Sequence, residues 1–188
     1  MGTSQPAGEA VTLDSALLAA PRAQLAQAQS YLLSRPHGVY SDDDARWIAR
    51  LYFENATPVG LDPLIVVAQM VHETDFLSSF WSQPPRRNPA GIGVTGEPGA
   101  GLSFPNWTAA VRAHVGRLLA YALPRNQGNQ AQHALIAEAL NWRPLPDRYR
   151  GIAPTLAGLT GNWGADPAYA PKVRDHANRI RATPVPST

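Results

Sequence analysis

A mainly α fold follows from three observations on the sequence. Apolar residues recur at three- and four-residue spacing in separate stretches, around 45–56, 61–73 and 110–122. Those stretches open on residues that cap helices, Ser41, Asp62 and Asn106. The segment with the least helical character, Gly91 to Phe104, holds Gly91, Gly93, Gly96, Gly99 and Gly101 and few residues able to form a core. At 188 residues the chain has room for one sizeable core. The expected organisation is a loose polar tail over 1–12, a single domain over 13–182 and a second tail over 183–188.

The elements follow in order. Ala16 to Ala20 suits a short helix, and Pro21 can open a longer one in which Leu25, Ala28 and Leu32 form an apolar stripe ended by Arg35, Pro36 and Gly38. Ser41 and Asp44 have capping-box spacing, and Ala45, Ile48, Ala49, Tyr52, Phe53 and Ala56 then share one helical face, which favours core packing over a sugar platform. Asp62 and Pro63 start a third helix that is apolar on nearly every side from Leu64 to Val71, as in a helix surrounded by protein. Pro84 to Arg87 breaks regular hydrogen bonding and must be a loop. Asn106 caps a helix through Ala122, and Ala131 to Leu140 makes another. Asn141 to Pro154 reads as irregular, with Trp142 and Tyr149 available to sugar rings or to the core. Asp166 and Pro167 open a last helix with Tyr169, Val173, Ala177 and Ile180 inward, before a tail with Pro184 and Pro186.

Charge and composition narrow the function. A formal charge of +2, with no clustered Lys/Arg face, gives little support to nucleic-acid binding. The absence of cysteine removes disulfides and thiolate metal sites without fixing a redox compartment. The N-terminal residues lack the basic start and apolar core of a signal peptide, and no stretch has the length of a membrane span. Localisation is therefore open, and any export would depend on something outside this chain.

Glu73 is the first residue that invites chemistry. A carboxyl at the end of a buried helix loses hydration, which raises its pKa toward the range where it can donate a proton near neutrality. His72 and Glu73 resemble the start of an HExxH zinc helix, but Phe76 stands where the second His is required, so no metal is expected. The glycine run lacks GxxxxGK[ST] and a preceding strand, which argues against a nucleotide site. Trp81 can pack inward or border a cleft. Arg86 and Arg87 are read first as solvated loop charge, with contact to an anionic polymer as the functional alternative.

The stretch AQMVHET, the turn Asn88, Pro89, Ala90, Gly91 and Ile92, and the C-terminal Trp163, Asp166, Pro167, Tyr169, Ala170, Lys172 and Val173 occur in one order. Together they resemble the glucosaminidase domain of bacterial cell-wall hydrolases, glycoside hydrolase family 73 of the lysozyme-like superfamily, over Leu61 to about Ile180. The resemblance implies a lysozyme-like helical domain with a short, reduced β lobe and an endo-β-N-acetylglucosaminidase acting on peptidoglycan, as an autolysin or endolysin does. It implies Glu73 as general acid, Glu97 as the candidate second carboxylate from the β lobe, and Tyr169 orienting the substrate acetamido group if that group is the nucleophile. It further implies that Asn88 ties the turn to the helix of Glu73, and that Trp81, Gly91, Ile92 and Trp163 line the substrate cleft. No cofactor is expected; the partner is the glycan strand, the protein a monomer. A lytic transglycosylase is the nearest rival, but the Glu-Ser and Gly-Leu-Met-Gln pair of that family is absent, since Thr74 follows Glu73. A non-catalytic cell-wall binding module is the rival from another class.

Overall fold

The computed structural model describes residues 8–97 and 99–185. Among the described residues there are six α-helices: α1 Leu25–Leu32, α2 Asp42–Ala56, α3 Pro63–Thr74, α4 Trp107–Ala122, α5 Gln130–Trp142 and α6 Tyr169–Ala182. Short 3-10 turns lie at Thr57–Val59, Asp147–Tyr149 and Leu156–Leu159. The fold is mainly α, and the only β pairing among the described residues is isolated bridges. None of the described helices is long and apolar enough to cross a membrane.

Helix α3 sits at the centre because its sequence leaves it no solvent face. Ten of its residues are buried, from Pro63 through Val71 and again at Thr74. Each large aliphatic side chain so placed contributes about 1.5–3 kcal/mol by leaving water. Helix α6 packs on α3; α4 packs on α5 and α2, and α2 also meets α3 and α1. Three caps act as the sequence predicts: Ser41 Oγ accepts from Asp44 N at 3.1 Å, Asp62 Oδ1 from Leu64 N at 3.0 Å, and Asn106 Oδ1 from Ala109 N at 2.8 Å. Each such cap is worth roughly 1 kcal/mol.

The N-terminal part departs from expectation. Ala16 to Ala20 is extended rather than helical, bridging Ala16 to Thr155 and Leu18 to Leu61. Its backbone bonds go to distant segments: Leu17 N to Pro154 O at 3.0 Å, Leu156 N to Ser15 O at 3.0 Å, and Asp62 N to Leu17 O at 2.9 Å. Those partners outcompete five residues of local helix, too short to repay nucleation alone. Pro21 does not open α1 either. Arg22 is held on Asp62 (Nη1 to Oδ2, 2.7 Å), and α1 begins only after Gln24. Within the stretch expected as a loose tail, 1–12, Val11 is instead buried and exchanges hydrogen bonds with Asn178 at 3.0 and 2.8 Å. Residues 1–7 and 186–188, and Pro98 in the glycine segment, lie outside the described residues.

Helix α6 begins at Tyr169, not at Pro167, because Asp166 Oδ1 takes Ala168 N at 2.9 Å and Asp166 Oδ2 takes Lys172 Nζ at 2.5 Å. The expected β lobe is a run of turns over Gly91 to Phe104 with no strand ladder among its described residues. Few of its backbone groups reach a partner strand, although Leu102 N donates to Ile92 O at 2.9 Å and so closes the loop.

Candidate active site

Glu73 is placed on the last turn of α3, where the helix stops abruptly. Asp75, Phe76 and Leu77 adopt left-handed φ values of 45°, 56° and 66°, and Thr74 Oγ1 accepts from Leu77 N at 2.9 Å to hold the reversal. Three consecutive non-glycine residues in this region are unusual, each costing about 1–2 kcal/mol. Buried Phe76 and Leu77 repay part of that through the core. The turn leaves Glu73 half-buried at the wall of an open cavity of about 540 Å³.

The cavity lies between α3, the glycine turn, α4 and the start of α6. Glu73, Trp81, Gly91, Ile92, Trp163 and Tyr169, six of the residues named from sequence, line it together. Asn88 does not line it. The side chain is fully buried underneath, donating to Ile92 O (2.8 Å) and Leu102 O (3.0 Å) while accepting from Ile92 N (2.9 Å) and Ala90 N (3.3 Å). That set of bonds shapes the turn and sets Gly91 against Glu73: a Cβ on Gly91, whose φ is +61°, would stand 3.4 Å from Glu73 Oε2. Glu97 is exposed on its loop and is not among the cavity's lining residues. The arginine pair of the loop also points elsewhere, with the Arg86 guanidinium 3.5 Å from the ring centroid of exposed Phe80.

A directional hydrogen-bond chain runs from the core to Glu73. Tyr169 O–H donates to Glu73 Oε1 at 2.5 Å, and Gln69 Nε2 donates to Tyr169 Oη at 2.9 Å. Gln69 Oε1 pairs with His114 Nε2 at 3.0 Å, and His114 Nδ1 with Tyr52 Oη at 3.0 Å. Since Gln69 Oε1 can only accept, His114 carries its proton on Nε2 and accepts from Tyr52. All four links then point toward the carboxylate. Helix periodicity explains part of the assembly, because Gln69 and Glu73 are four residues apart on one face of α3. Gly164 explains another part: a Cβ there would lie 2.1 Å from the Tyr169 ring, so only glycine admits the tyrosine at that depth.

The electrostatics oppose one another at Glu73. Burial pushes its carboxyl above the ordinary range, while the Tyr169 hydroxyl and the Trp163 indole draw it back down. Burial and the adjacent Glu73 charge hold Tyr169 well above its usual value, so it remains a donor. Fully buried His114 is pushed down to about 3 by desolvation and stays neutral. His72, edge-on to Tyr169 with centroids 5.3 Å apart, is lowered by burial and by Lys172. Of the acidic side chains only Glu73 and Asp166 line the cavity, and Asp166 is engaged by Lys172. Among the described residues no group of His, Cys, Asp or Glu is arranged to hold a metal.

Sequence reasoning placed Tyr52 on a core-packing helix face but did not join it to Glu73, and it passed over Gln69, Tyr121, Arg117 and Arg143. A signal existed for Gln69, the one polar residue in the apolar run from Leu64 to Val71. Trp163 packs on Tyr121 and His114, with centroids 5.1 and 5.6 Å apart, which braces the wall opposite the turn.

No family model matches the chain, and no solved structure matches it. A protein of Borreliella burgdorferi, described only as an uncharacterized protein, is 30% identical over 129 residues, which is 68% of this chain and 58% of that protein. The chain thus spans less than two thirds of that relative's length.

Proposed function

We propose that the chain is an endo-β-N-acetylglucosaminidase that cleaves peptidoglycan glycan strands, with Glu73 as general acid on a lysozyme-like helical scaffold. The observation that carries this reading is a half-buried carboxyl of raised pKa, clamped by Tyr169 and set beside Gly91 at the wall of an open groove. A glycosidic oxygen leaves readily only when protonated, and a carboxyl whose hold on its proton is strengthened by burial can supply that proton as positive charge develops on the sugar. The buried central helix that ends in Glu73 supports the lysozyme-like assignment. The turns of Gly91 to Phe104 take the place of the reduced β lobe on the far side of the groove.

For the second step, Asp166 is tied to Lys172 and Glu97 lies outside the cavity lining. This favours the substrate's own acetamido oxygen as nucleophile over a water activated by Glu97. Attack on the anomeric carbon as its bond to the leaving oxygen breaks, with the Glu73 proton passing to that oxygen, gives an oxazolinium ion that keeps its N–H; water then opens it and the Glu73 carboxylate takes the proton that the water loses. Tyr169 acts chiefly on Glu73, because its single hydroxyl proton is already directed to Oε1. A single free carboxylate also suffices for a lytic transglycosylase, so the product decides between them.

Purified sacculi are digested, the soluble products reduced with borohydride, and the new sugar termini identified by mass spectrometry. Reducible N-acetylglucosamine ends are expected, with none from Glu73→Gln. Anhydro-muramic ends would assign the chain to the transglycosylases, and intact sacculi with bound protein would make it a wall-binding module. Wild-type rates from Glu73→Gln would remove Glu73 from the chemistry.

A further inference from the structure

The cavity of Glu73 shares Arg117, Tyr121 and Arg143 with a second open cavity, of about 660 Å³, that runs on past Arg148, Tyr149 and Asn162. Three separate segments bring guanidinium groups to it. Arg117 comes from α4, Arg143 follows the end of α5, and Arg148 comes from the Asp147–Tyr149 turn. The groups are interlocked: Arg117 Nη1 donates to Arg143 O at 2.9 Å, and the Arg148 guanidinium lies 4.6 Å from the Tyr149 ring centroid. Arg143 Nη1 reaches the glycine turn, 3.0 Å from where a Cβ on Gly93 would stand.

None of the three has a carboxylate within ion-pair distance among the described residues, whereas Arg22, Arg112 and Arg125 each have one. Asp147, adjacent in sequence to Arg148, is taken by Arg125. Arg117 is only partly exposed, and burial weakens its hold on its proton; the nearby Arg143 acts in the same direction and Tyr121 in the opposite one. A partly desolvated cation beside a like charge has lost water without gaining a counter-ion, and an incoming anion restores that loss. A planar guanidinium fork fits a carboxylate with two parallel hydrogen bonds, and the Tyr121 and Tyr149 rings offer flat apolar surface beside it.

On the glycan-cleavage reading above, the bound strand carries stem peptides with free carboxylates, and the arginine-lined extension opens directly from the catalytic cavity. We propose that Arg117, Arg143 and Arg148 form a carboxylate-binding branch of the groove that receives the stem peptide of the strand being cut.

Three substrates separate the sources of carboxylate. They are peptide-bearing glycan fragments, the same fragments stripped by an amidase so that only the lactyl carboxylate remains, and a chitooligosaccharide with no carboxylate. Steady-state constants are measured for the wild type, Arg143→Gln and Arg148→Glu. The ratio of kcat/KM for peptide-bearing over chitooligosaccharide substrate should fall by about tenfold or more in each variant, mainly through KM, as expected for loss of a charge-assisted pair. An equal fall on the stripped fragments would transfer the role to the lactyl group and overturn the peptide assignment. Equal losses on all three substrates would show that the arginines recognise no carboxylate. Calorimetric binding of a purified muropeptide to Glu73→Gln, with and without Arg148→Glu, reads the same site without turnover. A weakening of about tenfold there upholds the arginine site even if no strand is cleaved, and an unchanged affinity overturns it.

Discussion

Removing one oxygen atom tests the link between the core and Glu73. In Tyr169→Phe the carboxyl loses its 2.5 Å donor and Gln69 Nε2 loses its acceptor, while the ring keeps its place against Gly164. Gln69 is fully buried, so its orphaned amide hydrogen costs about 1–3 kcal/mol. With a urea dependence of roughly 2–3 kcal/mol per molar, the unfolding midpoint should fall by about 0.3–1.5 M. The effect on Glu73 has a definite sign. Its folded pKa already lies above the ordinary carboxyl value, and Tyr169 holds it down, so removing the hydroxyl raises it further. A carboxyl whose folded pKa exceeds its unfolded one lends its stability below the unfolded value and loses it as pH climbs through the folded value. The stability deficit of the variant should therefore widen from acid to neutral pH. The alkaline limb of kcat/KM should move to higher pH, and kcat should fall by about 10²-fold from lost positioning. Carbon-13 titration of the Glu73 carboxyl reads the pKa directly. A limb that stays in place, or a Glu73 pKa that falls, would refute the coupling.

Two further outcomes are expected. Asn88→Ala strips the turn of four hydrogen bonds and leaves the buried backbone N–H groups of Ala90 and Ile92 without partners, so thermal unfolding should show a loss of roughly 3 kcal/mol or more; Asn88→Asp, which keeps only the acceptor, should recover part of it. Nitrogen-15 spectra of His114 at pH 5.5 should show a neutral ring protonated on Nε2, as its depressed value of about 3 and its bonds to Gln69 and Tyr52 require, and an imidazolium pattern would break the chain.

What could be read from the sequence was what is decided locally. Ser41, Asp62 and Asn106 cap helices through contacts two or three residues away, and their positions follow from side-chain chemistry alone. The burial of α3 followed from its apolar run, and with it the raised pKa of Glu73. The region from 16 to 24 was misjudged because its bonds reach Pro154 and Asp62, partners that no local rule contains. Gln69, His114 and Tyr52 belong to the same class: each has an ordinary structural explanation alone, and only contacts 45, 62 and 100 residues apart in sequence make them a chain. Arg117 and Arg143 carry no local signal of a shared site, and only the fold brings them to one wall.

The bond between Glu73 and Tyr169 spans 96 residues, and that separation has a consequence during synthesis. A ribosome adding about 5–20 residues per second needs roughly 5–20 s to travel from one to the other. Throughout that interval the α3 segment has left the peptidyl-transfer centre but has neither α6 to cover it nor Tyr169 to grip its carboxyl. Val11 waits longer still, since its clamp, Asn178, lies 167 residues downstream. The nascent chain thus carries Glu73 as a hydrated acid, and its altered proton affinity arises only when the C-terminal helix docks.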